Sequence, residues 1–367
     1  MTNQNCEETS SKELSPKRVL VITSDVPFVE GGHRVIARAL CKALQKAGHQ
    51  SEVWTTPSNR FGHQLKAYLA TWLTDISESG DGLPVDHVIS LRFPSYAVRH
   101  NRHSCWLNHR MREYYDLWEK YSKKLYKRQF IKESIRRKLI FTADQFLLGP
   151  KRIRLFAQSK NIQGRLSRFG GHDSELLYPP PPERNYRVGQ YSKTILSVGR
   201  LHPLKRPELL IRSFGLMDKS WKLVIAGRGQ EAAELKELSH SLGVADRIDW
   251  KHEADDDELC ELYANCRAVF YGPVDEDYGM VPVEAYASGK PVITCVDSGG
   301  AKEWVEEGVC GNIVEPDPKS VAAALEFYAD ETVARKFGEV GKERVSKVTW
   351  DSIIKKLLWE DGYQRPL

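Results

Sequence analysis

Hydrophobic and polar positions alternate along this chain in two ways, short continuous apolar runs and longer runs spaced by three and four. Val19-Leu-Val-Ile is the first short run, and it opens the folded part. After a loop, Val35, Ile36, Ala39, Leu40, Ala43, Leu44 and Ala47 recur at helical spacing, and Gly48 closes the pattern. Glu52-Val-Trp-Thr follows as a second strand. Strands are also predicted at His87-Val-Ile-Ser-Leu and Leu155-Phe-Ala-Gln-Ser, with a helix over 160–169 between the latter and Leu176. Residues 59–86 give no clear period. Residues 112–138 are predicted as one helix with Met111, Tyr114, Tyr115, Trp118, Tyr121 and Leu125 along its core side.

From Thr194 the alternation is regular. Apolar runs at 194–198, 222–226, 247–250, 268–271 and 291–295 predict strands. Helices are predicted near 207–216, 231–242, 256–264 and 280–288. Continuous apolar runs fit strands buried on both faces, and their alternation with helices predicts an α/β, doubly wound parallel sheet. The first half opens as strand, loop, helix, strand, which is a Rossmann-like unit. Its loop holds Gly31-Gly32 rather than the spaced dinucleotide fingerprint, so a nicotinamide-dependent dehydrogenase is disfavoured.

With 367 residues the chain accommodates two domains, each with its own core. The expected organisation is a disordered tail over 1–16, a first domain over 17–182, a polar linker over 183–193, a second domain over 194–349 and a closing segment over 350–367. The polar start lacks an apolar signal-peptide core, and no apolar run reaches membrane-spanning length. Seven dispersed cysteines argue for reduced thiols, hence a cytoplasmic protein. The net charge of +5 is unevenly spread: residues 99–160 hold 17 Lys or Arg against 5 Asp or Glu, so this segment carries +12 and the remainder −7. The basic stretch 112–138 fits a solvated face over an ordinary core stripe. In a sharper reading it meets an anionic membrane surface, which would make the protein peripheral on the inner face of a membrane. No recognised nucleic-acid module accompanies the charge, and no nucleic acid is expected as a partner.

The chemistry concentrates in residues 275–291, Asp-Glu-Asp-Tyr-Gly-Met-Val-Pro-Val-Glu-Ala-Tyr-Ala-Ser-Gly-Lys-Pro. An acidic loop leads through Gly279 into a helix whose unpaired N–H groups suit an anion or polar ligand. Glu276 and Glu284 are expected to present two carboxylates at different depths of one cleft, as acceptors for sugar hydroxyls. Taken alone, such a pair also fits a solvated glutamate and a capping one. Arg200 and Lys205, after the 194–198 strand, would together neutralise a diphosphate, although an isolated pair of this kind also fits plain surface charge. Asp255-Asp256-Asp257 reads as a helix cap rather than a metal site.

The glutamate spacing with Tyr278-Gly279 between, the Ala285-Tyr-Ala-Ser-Gly-Lys-Pro continuation, Gly199-Arg with Lys205, Ala226-Gly-Arg-Gly and Ser298-Gly-Gly resemble the family 4 glycosyltransferases, retaining enzymes of GT-B fold. The resemblance implies two Rossmann-like domains facing a cleft and transfer of a hexose from a GDP- or UDP-linked sugar to a glycan or lipid-linked acceptor, with no metal or other cofactor. It implies diphosphate stabilisation by Arg200 and Lys205, hexose binding by Glu276 and the Tyr278-Gly279-Met280 backbone, and ribose binding by Glu284. Gly227 would lie beside the nucleotide, Gly31 and Gly32 would face the donor phosphates, and His109 would stand near the transferred sugar. Arg206-Pro207 departs from the small residue usual after the lysine. A sugar-nucleotide epimerase or hydrolase and a non-catalytic binding protein are the competing readings.

Overall fold

The computed structural model describes residues 16–25, 31–57 and 62–359. The expected tail, apart from Pro16, lies outside the described residues, as do 26–30 of the glycine loop and 360–367.

The first sheet joins β1 (Arg18–Asp25), β2 (Gln50–Pro57), β3 (His87–Arg92), β4 (His103–His109), β5 (Arg154–Ala157) and β6 (Glu175–Leu176) in the order β2-β1-β3-β4-β5-β6. All five pairings are parallel, from Val19 opposite Ser51 to Ala157 opposite Leu176. Crossovers run through α1 (Gly32–Lys46), α2 (Gln64–Leu73), α3 (Trp118–Ser122), α4 (Lys127–Leu147) and α5 (Lys160–Gly170).

The second sheet orders β12-β11-β10-β7-β8-β9 and is again parallel throughout. Its strands are β7 (Thr194–Val198), β8 (Lys222–Ala226), β9 (Ile248–Lys251), β10 (Ala268–Phe270), β11 (Val292–Cys295) and β12 (Gly311–Val314). The helices between and after them are α6 (Pro207–Phe214), α7 (Ala232–Ser241), α8 (Asp256–Asn265), α9 (Met280–Ala287), α10 (Pro318–Glu326) and α11 (Glu331–Ser346). Ile195, Leu196, Val269, Phe270 and Ile293 are at most 1% exposed, as strands covered on both faces require. The six described cysteines are buried and unbridged.

The last helix, α12 (Trp350–Leu357), returns to the first domain. Trp350, Ile353, Ile354 and Leu357 join the core built by α1, β1, β3 and β4. The Trp106 and Trp350 rings meet edge to face at 6.3 Å, and the Ser104 hydroxyl donates to the Leu357 carbonyl at 2.6 Å.

Residues 112–138 do not form the single helix expected of them. A 3₁₀ turn at Arg112–Tyr114 gives way to α3, and α4 begins only at Lys127. Two interactions account for the break. Arg112 is drawn across to Asp116 and Asp275. Tyr126 caps α4 reciprocally with Gln129, whose side chain accepts from the Tyr126 N–H. Of the expected stripe, Tyr114 and Tyr115 are buried, but α4 presents much of its own apolar sequence to solvent. The illegible stretch contains α2, and the residues after Ser298 make one 3₁₀ turn, Gly300–Trp304. Asp255 caps α8 through the Glu258 N–H at 2.8 Å, as expected.

Candidate active site at the interdomain cleft

Parallel strands deliver their carboxyl ends to one edge, and the expected site residues of the second domain lie along it. After β7, the loop from Gly199 crosses the turn that ends β8. The Gly199 N–H donates to the Ala226 carbonyl at 2.9 Å and the Leu201 N–H to the Arg228 carbonyl at 2.8 Å. Gly227 sits at φ 149°, and a Cβ there would lie 1.9 Å from the Gly199 carbonyl oxygen, so only glycine fits this crossing. The loop carries both expected cations, with different outcomes. Arg200 is exposed and forms no ion pair among the described residues. Lys205 turns inward, donates to the Tyr271 hydroxyl at 3.0 Å and pairs with Glu276. Burial opposes its charge, but Tyr271 and Glu276 more than offset this and hold the amine above the ordinary lysine range. Arg206, the departure from the family pattern, takes a left-handed φ of 53° and pairs with Asp297, while Pro207 opens α6 at its first turn.

Gly279 precedes α9 at φ 84°, and a Cβ would meet Tyr271 Cε1 at 2.9 Å and Ala301 Cβ at 3.1 Å. Its conformation aims the start of α9 at the edge where Lys205 and Glu276 meet. Tyr278 is buried and donates its hydroxyl to the Pro179 carbonyl at 2.5 Å, which leaves its backbone as the part facing the loop. Met280 packs against the cores of both domains.

Glu284 sits among donors of its own chain. It is 5% exposed, and both its oxygens are occupied by its own chain. Oε1 accepts from Arg184 at 2.6 Å and Tyr186 at 3.3 Å, and Oε2 from Tyr263 at 2.9 Å. Burial pushes its carboxyl up, against the pull of Arg184 and the two hydroxyls. Arg184 also pairs with Asp256 at 2.8 Å, so the linker is pinned between α8 and α9. Glu276 and Glu284 thus do not stand as two open carboxylates in one cleft. One holds a lysine and the other an arginine.

On the first-domain side, His109 ends β4 and reaches the second domain, its Nδ1 2.9 Å from Asp277 Oδ2. Asp277 also pairs with Arg165, and its carbonyl accepts from Ser159 at 2.5 Å. Asp275 pairs with Arg112 and, at 2.7 Å, with Arg165. Asn161 donates to the Glu276 carbonyl at 2.8 Å. Burial alone would raise the Asp277 carboxyl. His109, Arg165 and Arg112 reverse that and hold it well below the usual range. In the other direction, Glu303 of the second domain accepts from the Lys160 and Asn161 N–H groups, both at 2.8 Å, and so satisfies the open N-terminus of α5. The space left beside His109, Arg112, Arg165 and Asp277 is about 20 Å³, little more than one water. The domains are closed on this side.

Gly31 caps α1, and a Cβ on it would sit 3.0 Å from the His33 ring, whereas Gly32 faces open space. His33, in the first turn of α1, was not singled out by the sequence. Burial, then Arg92 and Arg34, push its imidazole down to about 3, so it stands neutral behind the glycine pair. Sequence reasoning also passed over Asp275, Asp277, Arg112 and Arg184. The signal for the first two was their position either side of Glu276. Arg112 was lost in the basic run, and Arg184 in the polar linker.

Residues 184–344 match the family described as "Glycosyl transferases group 1". The D-inositol 3-phosphate glycosyltransferase of Corynebacterium diphtheriae is 30% identical over 199 residues, 49% of this chain and 46% of that protein. The GDP-mannose-dependent alpha-(1-6)-phosphatidylinositol monomannoside mannosyltransferase of Mycobacterium tuberculosis is 32% identical over 207 residues, 51% and 53% of the two chains. The chain thus spans about half the length of the curated relatives it matches. HepE from Anabaena, solved with UDP and glucose, superposes with a TM-score of 0.67 at 16% identity, covering 93% of this chain and 98% of that one. Sucrose-phosphate synthase from Thermosynechococcus elongatus gives 0.71 at 16% identity, covering 93% and 97%. The fold is GT-B, and the match to the group 1 glycosyltransferases lies in its second domain.

Proposed function

We propose that the chain is a retaining glycosyltransferase of family 4 type that moves a hexose, mannosyl or glucosyl, from a nucleotide-diphosphate sugar to a hydroxyl of a glycan, glycolipid or lipid-linked acceptor. The observation that carries this reading is the Lys205–Glu276 pair in front of α9, with Arg200, which forms no ion pair among the described residues, on the lysine's loop. The relatives, one of them GDP-mannose-dependent, and the UDP and glucose held by HepE support a nucleotide-sugar donor.

In this reading the diphosphate takes Lys205 from Glu276. Glu276 is then released to accept hydrogen bonds from the hexose, and Arg200 supplies the second positive charge. Both cations gain most as charge develops on the leaving diphosphate, which is the condition for accelerating the step. The acceptor oxygen forms its bond to the anomeric carbon on the face from which the diphosphate departs. The carbon–phosphate-oxygen bond breaks, and the acceptor proton passes to the departing diphosphate. His109 and the α1 start with Gly31 and Gly32 bound the acceptor side. Ribose binding by Glu284 uses the acceptor position that its three internal donors leave, or displaces one of them. No metal enters the scheme.

The test is thermal shift with GDP-, UDP- and ADP-sugars, followed by product analysis with and without acceptor. A ligand at a hundred times its Kd stabilises the native state by about 2.7 kcal/mol. One nucleotide is expected to shift the protein, and Lys205→Ala and Arg200→Ala to abolish the shift. Free sugar or an epimer formed without acceptor would replace transfer by hydrolysis or epimerisation. No shift with any nucleotide sugar would overturn the reading.

A further inference from the structure

Helix α4 is built inside out. Its buried face carries Glu133, Ile140, Asp144 and Leu147. The two carboxylates are held by tyrosines and an arginine: Glu133 by Tyr114 at 2.7 Å and by Arg136, Asp144 by Tyr96 at 2.8 Å, Tyr115 at 2.5 Å and Tyr68. The face toward solvent carries Ile135, Leu139 and Phe146, 59%, 48% and 59% exposed. Beside it α2 turns Leu65, Leu69 and Leu73 outward at a spacing of four residues. The two helices lie side by side, with the Trp72 and Phe146 rings 5.8 Å apart and Tyr68 bonded to Asp144. Nine of the eighteen exposed large hydrophobic side chains among the described residues lie on α2, on α4 or at Tyr126, so the exposure is a patch and not a scatter.

Cations border this patch at both ends. Arg128, Lys132 and Lys138 are exposed on α4 among its apolar positions. At the far end, beyond Trp72, lies an open groove of about 580 Å³ whose charged lining is Arg99, Lys151 and Arg152, with His100 and no acidic side chain. The Arg152 and Arg99 guanidiniums stand over the Trp72 ring at 4.5 and 5.7 Å. An apolar face with cationic borders matches the boundary of an anionic bilayer, where acyl chains and phosphate groups lie a few ångströms apart. A second copy fits less well, because a two-fold contact would set the segment carrying +12 against itself. No helix of the described residues is long and apolar enough to cross a membrane.

We propose that the α2–α4 face docks on an anionic lipid surface, its leucine and Ile135–Phe146 stripes at the acyl boundary and the Arg99–Lys151–Arg152 groove on a lipid phosphate. Because α4 follows β4, whose last residue is His109, and leads back to β5, docking on this face leaves the cleft at the lipid border. The proposal stands on the surface and not on the transfer reaction.

Co-sedimentation of the full chain with phosphatidylcholine vesicles, with and without phosphatidylglycerol, tests it. The protein is expected to pellet only with the anionic vesicles, and less at high salt. Leu69→Glu with Ile135→Glu is expected to lower binding at least about ten-fold at unchanged Tm. Arg99→Ala with Lys151→Ala is expected to lower it about five-fold for each cation removed. Wild-type protein that stays in the supernatant, or variants that pellet like wild type, would overturn the proposal. So would a wild-type dimer that the Leu69→Glu, Ile135→Glu pair converts to monomer, which would assign the face to a second copy. Nucleotide-sugar shifts measured on the same variants are expected to match wild type, which keeps a failed donor site distinct from a failed docking face.

Discussion

His109 and Asp277 meet across the domain boundary, imidazole Nδ1 2.9 Å from carboxylate Oδ2, although 168 positions separate them in the chain. The bond ties the end of β4 to the residue beside Glu276. It fixes the ring so that Nε2, and not Nδ1, is left for the cleft.

Asp277→Asn keeps the shape and removes the charge that His109, Arg165 and Arg112 share. Arg112 and Arg165 keep Asp275, but His109 loses its carboxylate and the cluster loses a charge, at an expected cost of about 2 kcal/mol. The pH dependence gives a sharper check. A carboxyl depressed in the folded state stabilises it above the unfolded pKa, near pH 4, and that contribution is lost as pH falls through the folded value. The Tm gap between wild type and Asp277→Asn should therefore be full near neutrality and shrink below about pH 4. A gap that is constant from neutral to acid would show that Asp277 is not charged in the folded state.

Variants at Arg200 and Lys205 are expected to separate activity from stability. Arg200 is exposed and has no ion-pair partner among the described residues, so Arg200→Ala should leave Tm within error while lowering kcat about a hundred-fold. Lys205→Ala should lower kcat by about a hundred- to a thousand-fold. It should also cost stability, since Glu276 and Tyr271 lose their partner. Steady-state kinetics beside thermal melts would decide. Equal Tm losses in both variants would contradict the different environments of the two cations.

Glu284→Ala leaves the half-buried Arg184 with only the exposed Asp256 and two tyrosines without an acceptor. The expected loss is about 3 to 5 kcal/mol by denaturant unfolding, the range for a broken buried pair. Glu284→Ala paired with Arg184→Leu should recover part of that stability without recovering donor binding, if Glu284 also serves the ribose. Recovery of both would leave Glu284 a purely architectural residue.

Gly279→Ala asks for a side chain at φ 84° and within 2.9 Å of Tyr271. The backbone term alone is about 1 to 2 kcal/mol. Displacing Tyr271 also loosens Lys205, so activity should fall further than the stability change accounts for. An active, fully stable Gly279→Ala protein would remove the tight turn from the mechanism.

The second sheet was legible because its strands are buried on both faces and read as unbroken apolar runs, Ile195-Leu and Ala268-Val-Phe among them. Lys205, Gly227, Glu276 and Gly279 were legible as positions at the carboxyl edge of this sheet because each lies in a loop that follows a strand readable as an apolar run. Helices α2 and α4 were not, for a physical reason. Residues that usually mark a solvent face, Glu133 and Asp144, are inside with tyrosine partners, and residues that usually mark a core face are outside. The guanidinium partners of Glu284 and Asp277 lie about a hundred or more residues away, and nothing local to either carboxylate announces them.

Helix α12 gives the molecule an unusual assembly order. Because Trp350, Ile353, Ile354 and Leu357 fill the space between α1 and β4, the first domain is completed by residues made after the whole second domain. On the ribosome, then, the second domain can close its core while the first still lacks one wall, reversing the usual N-terminal-first sequence. A fragment ending before Trp350 would hold every residue of the Lys205–Glu276 pair and its clamp, yet expose Trp106 and Leu40 to water.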